Sequence, residues 1–262
     1  MKARRVSVPV AALVAAQLLP AMVGIPGVPR LVPGAAGRGR PDHVAVTFDD
    51  GPHPDGTPAV LEQLRRRGAR ATFFVLGEQL HRYPDIGRRI AGDGHEIAVH
   101  GWNHRPLPVR SPFLIARELA DTCDLIYSTT SAIPQWYRPP YGVATATAIV
   151  AAQMLGLRPV WWTRWGKDWA RGATTASIST AIIGRTAGRG LHGSDTVLLH
   201  DSDEYGTPGS WRATVQALPR ILSQISDVGA IAGTLTQHIA TDSGPGVHHC
   251  GDHHRQAHRH AS

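Results

Sequence analysis

Two adjacent carboxylates, Asp49 and Asp50, end the apolar run Val44-Ala45-Val46-Thr47-Phe48 and open a turn-rich stretch, Gly51-Pro52 followed by Pro54-Asp55-Gly56. The run reads as a short buried strand and the stretch after it as turn chemistry, which puts both carboxylates at the C-terminal tip of a strand. In α/β proteins that rim is where sites are built, and two like charges side by side are costly unless a cation takes one of them. One Asp is therefore a candidate metal ligand and the other a candidate base. Taken alone, the tripeptide reads equally as a helix N-cap beside a solvated turn residue.

Further along, His100 and His104 stand four residues apart after the strand-like run Glu96-Ile97-Ala98-Val99. The spacing predicts one helical turn with both rings on one face, a ligand spacing for zinc. Joined to Asp50 they would form a two-histidine, one-carboxylate triad with positions left for water and substrate. Arg138 opens Arg-Pro-Pro-Tyr-Gly, a fixed extended turn. It could tether Asp49 by a charge-assisted hydrogen bond, while the turn could aim a backbone N–H at a developing oxyanion. His200 ends the run Thr196-Val197-Leu198-Leu199, and a histidine at a strand tip with a partner carboxylate is a general acid near neutral pH. Each signal has a plainer reading: two surface histidines, a solvated arginine, a satisfied core histidine.

The elements that must carry these residues alternate. Helical spacing over Thr57–Arg67 is followed by a strand over Ala71–Val75, a helix over Glu78–Asp93 broken at Pro84, and the strand that delivers His100. Helices follow over Phe113–Ser131 and Thr145–Leu155, then a strand over Arg158–Trp162, a helix over Thr175–Gly188, the strand ending in His200, and a helix from Trp211 to Ile225. About seven strand–helix alternations predict an α/β fold, a single-domain parallel barrel.

Charge is distributed unevenly along the 262 residues. Residues 1–41 carry Lys2, Arg4, Arg5, Arg30, Arg38 and Arg40 and no acid, whereas residues 42–247 balance 19 cations with 19 acids. The neutral body, without a basic stripe interleaved with aromatics, excludes a nucleic-acid surface as the reading of the formal charge of +7. Only Cys123 and Cys250 are present, too few for a disulfide framework or a zinc ribbon, so a metal site must use His and carboxylates. Between Val6 and Val28 there is no charged residue. This stretch reads as a secretory signal, a short membrane anchor, or a proline-rich arm packed on the barrel; an extracytoplasmic or membrane-associated location is favoured over a cytoplasmic one. Residues 241–262 read as a disordered His-rich tail, and residues 42–240 as the folded domain.

In the order TFDDGP, HxxxH, RPPYG, DW and LLHD, these motifs resemble the polysaccharide deacetylase family, the NodB homology domain of carbohydrate esterase family 4, over roughly residues 42–240. The resemblance implies a distorted (β/α) barrel. It implies a divalent metal, zinc before cobalt or another ion, on Asp50, His100 and His104. Asp49 would be the catalytic base, tethered by Arg138. His200 would be the acid, its charge set by Asp168, and the Tyr141 N–H would help hold the oxyanion, while Trp169 and Leu198 would line the acetyl slot together with Tyr141. Gly101 stands where the family usually has Ser or Thr, and Trp165 where the first Asp of D-x-x-D-W is common, which marks a divergent branch.

The expected function is metal-dependent removal of N-acetyl groups from amino sugars of a polysaccharide or glycoconjugate, with an Asp base, a His acid and a metal-bound water. A carbohydrate is the expected partner, with no protein partner. Trp102, Trp162, Trp165 and Trp169 are candidates to stack on sugar rings. The competing readings are a same-fold hydrolase of a small non-peptide C–N substrate, such as a ureide or acyl-amino compound, and a non-catalytic carbohydrate-binding protein. A shallow groove would favour the polymer and a closed pocket the small molecule.

Overall fold

The computed structural model describes residues 35–184 and 189–239. Eight parallel strands form one curled sheet: β1 (His43–Asp49), β2 (Thr72–Leu76), β3 (Glu96–Gly101), β4 (Trp136–Tyr137), β5 (Arg158–Pro159), β6 (Arg164–Trp165), β7 (Thr196–His200) and β8 (Ile231–Gly233). Seven of them run in the order β5-β4-β3-β2-β1-β7-β6, and β8 pairs with the first half of β1. The helices are α1 (Gly56–Arg66), α2 (Gly77–Arg82), α3 (Pro84–Gly92), α4 (Pro112–Thr130), α5 (Ala146–Met154), α6 (Thr175–Ile183), α7 (Trp211–Asp227) and the single turn α8 (Leu235–His238).

Side-chain alternation along each strand decides which residues face the helices and which face the barrel. Val44, Val46 and Phe48 of β1, Phe73 and Val75 of β2, Ile97 and Val99 of β3, Tyr137 of β4, and Val197 and Leu199 of β7 all join the large core under the helices. The alternate residues Ala45, Phe74, Ala98 and Trp136 form a smaller core inside the barrel with Val160, Leu235 and Ile239. The same parity turns Asp49, His100, Leu198 and His200 inward. In-register pairing sets Asp49 of β1 directly beside His200 of β7.

The strand expected over Arg158–Trp162 is two strands. Pairing of β5 stops at Pro159, and the next strand, β6, lies at the opposite edge of the sheet, against β7. The chain crosses the gap between the two edges along residues 160–163, donating from Val160 N–H to Tyr137 C=O, Trp161 N–H to Ala35 C=O and Thr163 N–H to Thr196 C=O. Ala35 is fully buried there with Ala144, Ile149 and Trp161, so residues 35–41 pack on the barrel instead of preceding it. Buried Arg164 fastens β6 by donating to the Asp195 carboxylate and to the carbonyls of Gly184 and Arg189. Its neighbour Trp165 is thereby turned to the other face.

The strand β8 and the turn α8 are additions to the expected elements; α8 is held by a capping box between Thr234 and Gln237. No helix among the described residues is long and apolar enough to cross a membrane. The expectations for residues 6–28 and for the His-rich tail fall outside the described residues.

Candidate active site

The C-terminal ends of β1, β3, β4 and β7 converge on a pocket of about 150 Å³ lined by Asp49, Asp50, His100, His104, Tyr141, Trp169, Leu198 and His200, with Gly142, Trp162, Trp165 and Tyr205. Ten residues picked from the sequence thus share one cavity, Trp162 and Trp165 among them. Arg138 and Asp168 stand fully buried behind it, one against each candidate proton carrier.

His100 and His104 do meet, though without a helix. β3 carries His100 and runs on to Gly101, where φ reaches +111°, and the chain folds back so that the two rings lie 5.3 Å apart. That backbone conformation is open to glycine and costly for a β-carbon residue. Three of the described non-glycine residues with positive φ, Asp50, Tyr141 and Lys167, sit in the loops around the pocket. Such backbone strain collects where a site is over-determined by its surroundings.

His100 Nε2 stands 3.2 Å and His104 Nε2 3.4 Å from Asp50 Oδ1, and His100 Nδ1 donates to Arg138 C=O at 2.8 Å. That last bond fixes the tautomer and turns the Nε2 lone pair towards Asp50. Burial holds the His104 imidazole at about 4, so it is neutral at pH 7. Burial opposes charge on Asp50, but the imidazoles packed around it, His100 first and then His200 and His104, outweigh it and hold the carboxyl below the usual range. Asp50 Oδ1 and His104 Nδ1 are nonetheless buried without a well-formed hydrogen bond. One carboxylate and two imidazoles, within 4.8 Å of each other and with the central oxygen unsatisfied, fit a divalent cation; among the described residues they are the one such group.

The two flanking carboxylates hold their partners firmly. Arg138 Nη1 donates to Asp49 Oδ1 at 2.7 Å and to Thr47 Oγ1 at 2.8 Å, and its other nitrogens reach the Val160 and Trp161 carbonyls. The guanidinium also lies 4.1 Å from the Phe74 ring centroid. Asp49 Oδ2 is left facing the site, 3.9 Å from His100 Nε2. On the other flank, Asp168 Oδ1 accepts from His200 Nδ1 at 3.0 Å, while Oδ2 accepts from the His200 backbone N–H and from Thr214 Oγ1. Burial works against a charge on His200, but Asp168, with help from Asp50 and Asp49, pushes its imidazole up to about 9. His200 Nε2 points into the pocket, 3.9 Å from Asp50 Oδ2.

A model of the polysaccharide deacetylase family matches residues 36–160. A chitooligosaccharide deacetylase of Rhizobium leguminosarum bv. trifolii is 31% identical over 201 residues, covering 74% of this chain and 91% of its own. This chain belongs to the polysaccharide deacetylase family. A peptidoglycan-N-acetylglucosamine deacetylase of Bacillus cereus is also 31% identical, over 199 residues, with 76% of this chain and 68% of the relative covered. A solved peptidoglycan N-acetylglucosamine deacetylase, in complex with 4-naphthalen-1-yl-N-oxidanyl-benzamide, superposes with a TM-score of 0.72 at 28% identity, over 80% of this chain and 94% of that one. Deacetylases of this family are metal-dependent, in keeping with the donor set at Asp50, His100 and His104.

In this polysaccharide deacetylase chain one candidate sugar-stacking residue lies elsewhere: Trp102 packs over Gly77 at the start of α2, where a β-carbon on Gly77 would come within 2.5 Å of the indole. Conversely, Tyr205 was unforeseen. It comes from the loop after β7 and lays its ring 4.7 Å from that of His104. Its sequence neighbours carry no motif, and only tertiary packing brings it in. The supporting hydroxyl of Thr47 lies inside the first motif but has no role there from sequence alone, and Thr214 carries no motif. Of the histidines set aside as core or surface, His43 and His238 form a buried pair, Nδ1 to Nδ1 at 3.2 Å, and His95 accepts from the Ala71 N–H.

Asp201, next to His200, is fully buried beneath the Gly51 turn and accepts from Thr57 Oγ1 at 2.5 Å. A β-carbon on Gly51 would fall 2.6 Å from Asp201 Oδ2, so glycine is required for this close approach. Burial raises the Asp201 carboxyl to about 7. The folded state therefore keeps this proton where the unfolded chain has lost it, and stability falls as pH rises from about 4 to about 7. Asp201→Asn, which stays neutral, is expected to stabilise the protein at pH 8 by an amount on the order of 1–4 kcal/mol, with the gain vanishing near pH 4. Urea midpoints measured across that range would check it; parallel profiles for the two proteins would rule it out.

Proposed function

We propose that this chain hydrolyses the acetamide of N-acetylated amino sugars in a polysaccharide, adding water across the C–N bond to leave acetate and a free amine. The observation that carries this reading is the pairing around one pocket. Arg138 holds Asp49 and Asp168 holds His200, with both proton carriers within 4 Å of the Asp50–His100–His104 donors.

Asp50, His100 and His104 would hold the cation, and two imidazoles with one carboxylate favour zinc, with cobalt or another divalent ion as substitutes. A divalent cation there supplies Lewis-acid polarisation of the acyl carbonyl and a more acidic water. Asp49 Oδ2, free because Arg138 takes Oδ1, accepts the proton of the attacking water. His200 Nε2–H, kept charged by Asp168, donates to the leaving nitrogen. The Tyr141 N–H would help hold the oxygen on which charge builds. Leu198 and the Trp169 indole, whose ring lies edge-on 4.9 Å from His200, hold the methyl group in an apolar corner. The uncharged stretch 6–28 makes an extracytoplasmic location part of the same proposal.

Acetate release from N-acetylglucosamine oligomers and from peptidoglycan, with zinc added or with chelator, tests the reading. Release should disappear with chelator, by at least about 100-fold, and return with zinc or cobalt. Failure of both substrates to yield acetate while zinc binds one-to-one would reject it in favour of a small amide.

A further inference from the structure

Aromatic side chains that remain more than a third exposed are few among the described residues: Phe113, Tyr141, Trp165 and Tyr205. Three of the four stand at the mouth of the active-site pocket. An exposed apolar cluster continuous with a pocket that holds a few convergent polar groups marks a surface that something covers. The pocket itself, at about 150 Å³, is the size that encloses a benzene-sized group. It takes an acetamide and part of its ring; the remainder of a glycan must lie across the rim.

We infer that Trp165 is a stacking platform for the sugar unit adjacent to the one whose acetamide is hydrolysed, so that the site selects chains over single sugars. Trp165 is the last residue of β6 and pairs in register with Leu198 of the acetyl corner. Its neighbour Arg164 is buried and bonded to Asp195, which leaves Trp165 on the pocket side of the strand. The indole is braced by Trp162 and Trp169, at 5.7 and 5.5 Å between centroids, yet is 41% exposed. Lys167 sets an ammonium 5.5 Å from the ring centroid, a donor for a hydroxyl beside the platform. A β-gluco pyranose, with its hydroxyls equatorial, presents C–H groups on both faces, and such a face covers a rigid aromatic surface at little entropic cost.

The inference rests on the deacetylase reading for the placement of the acetamide, and its test has an arm that does not depend on turnover. Acetate release is measured as kcat/KM on N-acetylglucosamine monomer, dimer and tetramer for the parent protein, Trp165→Ala and Trp165→Phe. The parent should favour the tetramer. Trp165→Ala should lower the tetramer-to-monomer ratio about three- to ten-fold, and Trp165→Phe should recover most of it. An equal loss on all lengths, or no loss, overturns the platform. Tetramer binding is followed in parallel by tryptophan fluorescence of the zinc-loaded proteins. Should no sugar be hydrolysed, the deacetylase reading fails, and weaker tetramer binding by Trp165→Ala than by the parent still supports the platform, whereas equal binding overturns it.

Discussion

Asp49→Asn is expected to lower kcat for acetate release by roughly 10²- to 10⁴-fold, the range of a positioned general base, while zinc content and fold are retained. The expectation follows from the division of labour between adjacent carboxylates. Asp50 has both histidine Nε2 atoms around one of its oxygens, at 3.2 and 3.4 Å, whereas Asp49 is bound by Arg138 through Oδ1 and shows Oδ2 to the pocket. The amide keeps the size of the side chain and can still meet Arg138 through its oxygen. What it loses is the ability to accept a proton at the other atom. Asp50→Asn should behave differently, weakening zinc binding itself, because an anionic ligand is replaced by a neutral one. Isothermal titration with zinc alongside the kinetics separates the two. If Asp49→Asn and Asp50→Asn lost zinc equally, the assignment of base and ligand would fall.

How the site could be read before the fold was known differs from residue to residue. Asp49, His100, Leu198 and His200 were legible because strand parity is a local property, and every second residue of β1, β3 and β7 must turn inward once its neighbours join the core under the helices. The four-residue spacing of His100 and His104 predicts one helical turn, but here a strand and a glycine at positive φ bring the two rings together. The break between β5 and β6 was hidden because the crossing itself, Val160-Trp161-Trp162, is apolar and reads as strand, and hydropathy cannot say that Trp161 bonds to Ala35 while Trp165 crosses to the other edge of the sheet. Tyr205 and Trp102 show the limit most plainly. An aromatic inside a motif packs away from the pocket, as Trp102 does on Gly77, and one without a motif lines it, as Tyr205 does beside His104.

Asp168→Asn should move the alkaline limb of the kcat/KM profile to lower pH without removing activity at acid pH. In the folded protein the His200 imidazole is buried at the pocket wall, which by itself disfavours its charge; Asp168, 3.0 Å away, reverses this and pushes it up to about 9. Removing that anion leaves burial with less opposition, so His200 falls back towards its ordinary 6.5. The acid needed for amine departure is then mostly absent at pH 8, and the rate there should drop about 30-fold relative to the parent. At pH 5.5 both proteins carry the proton and the rates should converge. A cation on Asp50 lowers both values together, since its charge lies close to His200 Nε2, so the separation of the two profiles is the quantity to measure. Amide replacement keeps an oxygen to accept from His200 Nδ1, which makes a loss of equal size at every pH the signature of misplacement alone. That result would reduce Asp168 from setting the proton on His200 to holding its ring in place.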